Sequence, residues 1–178
     1  MRQSIYFLGS LLVAVTFFFS ACSNVKFETP VPQGEKSLSV FPEKLQGFYQ
    51  DKDGTSLSIY ENRFMYDAIE SGKEEYLSDE MVLKEKGEYY YLNILSEENY
   101  WDVLQIESRK GQLILRRIEL EEAELEGLSA ITPLLNDIKG IGEDEEFVVI
   151  NPDEKAFKQL EKQGLFSDPL VFSEVSEK

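Results

Sequence analysis

The chain has 178 residues, with 34 Asp and Glu against 18 Lys and Arg, a net charge of −16 and no histidine. That acid surplus opposes the phosphate neutralisation nucleic acids demand and the attraction to anionic lipid head groups, so neither is an expected partner through charge. Ser-His-Asp and Cys-His catalysis are excluded without histidine; with Cys22 the single cysteine, no internal disulfide forms and neither metal nor cofactor is expected.

The chain opens with Arg2 as a short positive start, an apolar run from Ile5 to Phe19, and the small residues Ser20 and Ala21 before Cys22. This is the layout of an export signal. The run is shorter than the roughly 20 apolar residues that span a bilayer core. The alternatives are an uncleaved anchor and an ordinary signal peptide cut near Ala21. The segment 1–22 resembles the signal peptide of bacterial lipoproteins, in which an apolar residue and two small ones precede a lipid-accepting cysteine; Phe19 departs from that family's usual Leu. The resemblance implies removal of residues 1–21 and lipidation of Cys22 by a diacylglyceryl group plus an N-acyl chain such as palmitate. More than one chain is what stable anchoring needs. Ser23, where the family's inner-membrane members carry Asp, points to the outer membrane of a Gram-negative envelope.

Residues 22–44 contain Pro30, Pro32, Gly34 and Pro42 and few apolar side chains. They read as a lipidated N-terminus and a flexible tether that lets the rest stand off the membrane. Residues 45–178 are the right size for one β-rich soluble domain.

Short strands with turn signals between them then follow. Residues 46–50 lead into Asp51-Lys52-Asp53-Gly54, a glycine-marked turn. Counted as a calcium loop from Asp51, the glycine and the glutamate fall out of register, so a hairpin is the reading. Residues 56–60 place Leu57 and Ile59 on one face, and 63–69 place Phe64, Tyr66 and Ala68 on one face. Further strands are expected at 81–85, 88–95, 100–106 and 112–118, turned by Lys86-Gly87, by Glu97-Glu98-Asn99 and by Arg109-Lys110-Gly111.

The last third changes character. Thr132-Pro133 reads as the start of a short helix ending at Gly140. Residues 147–150 read as a buried strand. Asn151 is expected to cap a helix with Pro152 in its first turn, Ala156, Phe157 and Leu160 on its apolar stripe and Gly164 as a left-handed stop before Leu165. Residues 170–175 are expected as a final edge strand. The fold class is mainly β (a β-rich α+β): an antiparallel meander, a sandwich or a partly closed barrel, with one C-terminal helix.

The aromatic cluster Tyr89, Tyr91, Tyr100 and Trp101 is the candidate binding surface, because strand alternation around Tyr90 puts aromatics on both sides of the sheet. Simple sheet packing is the competing reading. Asp102 is the one carboxylate that stands in an apolar setting, between Trp101 and Val103.

The chain as a whole is similar to small envelope lipoproteins of Gram-negative bacteria. It is read as a non-enzymatic binding or interaction module, held to the membrane through acyl chains on Cys22, with an envelope protein or a glycan as partner. Two alternatives stand beside it. A lipocalin-like carrier would enclose a small apolar ligand in a pocket lined by residues such as Leu57, Ile59, Leu92 and Ile94. A carboxylate-dependent glycan hydrolase would need two acids facing each other across a cleft.

Overall fold

The computed structural model describes residues 25–66, 74–118, 139–140, 147–164, 166 and 169–176. Cys22 and the export-signal stretch lie outside them, as do Ala68, Leu165 and the expected helix start at Thr132-Pro133. The strands of the first half are β1 (Val25–Phe27), β2 (Ser37–Leu38), β3 (Gly47–Gln50), β4 (Ser56–Ile59), β5 (Arg63–Tyr66) and β6 (Glu74–Tyr76). Next come β7 (Met81–Lys86), β8 (Tyr89–Leu95), β9 (Trp101–Arg109) and β10 (Gln112–Arg117). The remainder comprises β11 (Lys139–Gly140), β12 (Val148–Ile150), helix α1 (Glu154–Lys162) and β13 (Leu170–Val175). Gly140 therefore belongs to a strand, paired with Val148, rather than to a helix end.

The fold is mainly β: the antiparallel sheet curls into a half-barrel and carries one helix in its C-terminal region. Its long path runs β2-β7-β8-β9-β10-β13-β3-β4-β5-β6. Two sets of local hairpins supply most of it. Between β9 and β10, Lys110 and Gly111 both have positive φ, 51° and 75°. Two successive left-handed residues make the hairpin turn whose twist matches that of the flanking strands. Between β3 and β4, the Asp51 carboxylate accepts the amides of Asp53 at 2.9 Å and Thr55 at 2.8 Å, so the turn is held by its own side chain.

Strand β13 is not an edge. It pairs with β10 on one side and β3 on the other, joining the two sets of hairpins. Its sequence, Leu-Val-Phe-Ser-Glu-Val, is β-prone without a regular alternation, and Phe172 is its one buried residue; such a segment carries no information on its neighbours.

The sheet has a core on each face. On the concave side Phe41, Leu45, Tyr49, Leu57, Ile59, Leu83, Tyr90, Leu92, Ile106, Leu113 and Phe172 pack together. On the convex side α1 packs over the sheet, and Val25 and Phe27 of β1 join Tyr91, Val103, Ile150, Phe157 and Leu160 in the second cluster. Helix α1 buries Ala156, Phe157 and Leu160, the stripe expected from their spacing. The Phe157 ring meets Tyr91 edge-on at 5.3 Å and Phe27 at 6.3 Å. Its cap is Asp153, whose carboxylate accepts the Ala156 amide at 2.7 Å. Asn151, the expected cap, is drawn instead into tertiary contacts. Its Nδ2 donates to Glu28 at 2.9 Å and its Oδ1 accepts from Gln33 at 2.6 Å.

The tether expected over 22–44 is corrected by the same packing. Val25, Lys26 and Phe27 are buried in β1, which runs parallel to β12 and meets β9 where Phe27 faces Trp101. The following turn is fastened to the convex face by side chains distant in sequence. Asn93, fully buried, accepts the Val31 amide at 2.7 Å and donates to the Val31 carbonyl at 2.9 Å. Lys84 donates to the carbonyls of Pro30 and Pro32, both at 2.9 Å. Proline removes amide donors but leaves carbonyls that need partners, and a buried ammonium needs acceptors. Each group meets the other's requirement. An Asn93→Leu variant strands both backbone groups of Val31 inside the protein and should lose roughly 2–4 kcal/mol in urea unfolding, with amides of β1 losing hydrogen-exchange protection first.

Candidate ligand cavity

Strand register decides which side chains meet on the concave side. Directly opposed residues of an antiparallel ladder share a face. Leu92 of β8 lies between Leu83 and Leu104, and Ile94 lies between Met81 and Asp102. Leu104 in turn faces Arg117, and Ile106 faces Leu115. Leu115 faces Leu170 of β13. In the other half Leu57 opposes Tyr66 and Ile59 opposes Phe64.

These two walls do not meet completely. Between them is a cavity of about 300 Å³, at the lower end of the range for small-molecule sites. One wall is Phe41, Leu57, Ile59, Phe64 and Tyr66; the other is Leu92, Ile94, Leu104, Ile106 and Leu115; Leu170 and Phe172 of β13 bridge them. Leu57, Ile59, Leu92 and Ile94, named from the sequence as a pocket lining, all line it. Phe172 and Leu170 were not foreseen, because their strand was read as an edge.

Asp102 and Arg117 are the charged residues of the described lining. Asp102 Oδ2 lies 3.9 Å from the Lys26 ammonium, which makes a closer contact of 2.8 Å with Glu98. Asp102 Oδ1 is shielded from solvent and accepts no hydrogen bond among the described residues. The two carboxylates around Lys26 accordingly diverge. The Lys26 hydrogen bond, helped by Ser96, holds Glu98 down at about 2. Burial pushes Asp102 above the usual carboxylate range, against the pull of Lys26. Distance and exposure account for the split, since Glu98 is about half exposed and takes the short contact while Asp102, less exposed and with its Oδ1 shielded, stands at the long one. Lys26 also lies 5.0 Å from the centre of the Phe147 ring, so its ammonium is enclosed by both charge and π-density. The charged end of the cavity is thus lined by Asp102 and Arg117, with the Lys26–Glu98 pair standing behind Asp102; the rest of the described lining is apolar.

The aromatic quartet sits elsewhere. Tyr91 is fully buried on the convex face against Phe157 and Phe166, so its place in an exposed platform is corrected. Its hydroxyl donates to Glu161, which also receives Lys86 at 3.0 Å, and it accepts from Gln105 at 3.3 Å. Tyr89 and Trp101 are half-buried against the same cluster. Tyr100 is half-buried and packs on Phe147 at 6.0 Å. These rings pack within the protein, Tyr91 against the helix and Tyr100 against Phe147, and none of the four lines the cavity.

Comparisons with protein-family models, with curated proteins and with solved structures returned no match.

Four tyrosines are coupled to this packing. Burial pushes the hydroxyls of Tyr49, Tyr66, Tyr90 and Tyr91 above their ordinary value, with Tyr91 raised furthest. The native state therefore retains protons that the unfolded chain releases near its ordinary value of about 10. Their contribution is fully present below that pH and is lost as pH rises through the raised native values. Urea midpoints measured from about pH 9 to about pH 11 should fall, and the fall should be shallower in Tyr91→Phe.

Proposed function

We propose that this chain is a lipid-anchored protein of the cell envelope, residing at the outer membrane. Its half-barrel holds a small apolar ligand without transforming it. The observation that carries the ligand reading is the cavity of about 300 Å³, with aliphatic and aromatic walls drawn from both halves of the sheet. Cores are ordinarily packed to near-crystalline density, and an unfilled apolar space forfeits dispersion contacts with no return to folding. Such a space, with charge gathered at one end, suits occupancy. The envelope location rests on the sequence of residues 1–22, with its small residues leading to Cys22. A hydrolase is the weaker reading, because Asp102 is the one carboxylate in the described lining and glycoside hydrolysis takes a facing pair.

Two measurements test the two parts. Cells fed an alkyne-tagged palmitate should transfer the tag to the wild-type chain and not to Cys22→Ser; tag retained in the variant would remove the anchoring site. For the cavity, the mature chain carrying Cys22→Ser is titrated with naphthalene and followed by methyl NMR. The shifts should saturate and concentrate on Leu57, Ile59, Leu92 and Ile94. Leu104→Trp fills the space, at an overpacking cost of about 1–3 kcal/mol, and should abolish them. Shifts scattered over the surface, or insensitive to Leu104→Trp, would end the carrier reading.

A further inference from the structure

Building on the ligand-cavity reading, we infer that the occupant is an amphiphile of about ten heavy atoms whose head donates a hydrogen bond to Asp102 Oδ1: an alkyl alcohol or amine rather than a fatty acid. Size comes from volume. At roughly 30 Å³ for each water-sized group, the cavity of about 300 Å³ takes a chain of that length. An extended apolar tail fits the walls, since nearly all of the described lining is aliphatic or aromatic.

The head follows from what the charged end lacks. Lys26 is already matched by Glu98 at 2.8 Å. Arg117 has interactions of its own and stands within the field of Asp102. With Lys26, Glu98, Asp102 and Arg117 taken together, two cations meet two anions, so the cluster is neutral. Its unmet requirement is an acceptor, the shielded Oδ1 of Asp102, which takes no hydrogen bond among the described residues. A buried acceptor without a donor carries a desolvation cost that a ligand hydroxyl or amine would relieve. A carboxylate head brings no donor when ionised. It also sets a second negative charge beside Asp102 in a poorly solvated space. Register gives the same direction, because Asp102 directly opposes Ile94 on β8 and lies two residues from Leu104 on β9, both in the lining. A head at Asp102 thus leaves its tail along these side chains.

The test uses three probes with one tail, 1-octanol, octylamine and octanoate, titrated into the mature Cys22→Ser chain and read by methyl NMR. Octanol and octylamine should bind about tenfold or more tighter than octanoate. Asp102→Leu should weaken octanol by about tenfold and erase the preference. Should that variant fail to fold, Asp102→Asn retains an acceptor and removes the charge. It should hold octanol within about threefold and bind octanoate more tightly than wild type does. Octanoate binding as tightly as octanol to wild type would overturn the head assignment and leave the cavity reading standing. No methyl shift with any of the three would overturn both.

Discussion

Pairing of β13 on both its edges is the constraint from which the rest of the molecule follows. The strands β3 to β6 and β7 to β10 are each built from near neighbours in sequence, and each half can form its ladder by closing short turns. Nothing local joins them. The chain from 170 to 175 does so, setting Leu113 opposite Phe172 on one side and Tyr49 opposite Glu174 on the other. These partners are far apart in the chain, so the entropy of closing long loops is met before the contact stabilises anything. Phe172, almost wholly buried, is what the contact gains, with Tyr66 edge-on to it at 6.3 Å. The cavity exists because this strand holds two curved walls at a fixed separation.

The convex face obeys a different logic. It is closed by side chains whose polar ends are met by backbone and by a few buried ions. Lys84, with burial lowering its pKa, gives its ammonium to proline carbonyls. Lys86 lies 4.9 Å from the Phe157 ring and donates to Glu161, which holds Tyr91. In a chain so rich in acid, these few cations are placed where they fasten one element to another. The mutual satisfaction matters more than net attraction, since a buried charge left unpaired costs far more than a paired one contributes.

Much of the half-barrel was legible in the sequence because its signals are local. Leu57 and Ile59 alternate between turn residues, Lys110-Gly111 marks a hairpin, and Ala156, Phe157 and Leu160 recur at helical spacing. From such alternations four of the residues lining the cavity, Leu57, Ile59, Leu92 and Ile94, could be named, and Asp102 stood out through its apolar neighbours Trp101 and Val103. What escaped was decided at long range. The β-prone residues of 170–175 mark a strand but not where it inserts. Asn151 and Asp153 are equally good caps by chemistry, and contacts with Glu28 and Gln33 choose between them. The prolines of 25–33 suggest an extended linker, and only Asn93 and Lys84, some sixty and fifty residues on, reveal that the segment is docked. The aromatic run at 89–91 shows the limit of alternation: it assigns sides of a sheet, while burial of Tyr91 depends on a helix more than sixty residues later.

The early entry of β1 into the sheet has a geometric consequence. Val25 is already buried in the body, and only Ser23 and Asn24 separate it from the cysteine proposed to carry acyl chains. The three residue steps from Cys22 to Val25 reach about 10 Å at full extension, so the body would have to rest against the bilayer surface in a restricted set of poses. Because Lys26 of β1 touches both Glu98 and Asp102, the polar end of the cavity would be the end held closest to the lipid. Anchor and binding site would then be neighbours, and a molecule leaving the membrane would have only a short distance to cross.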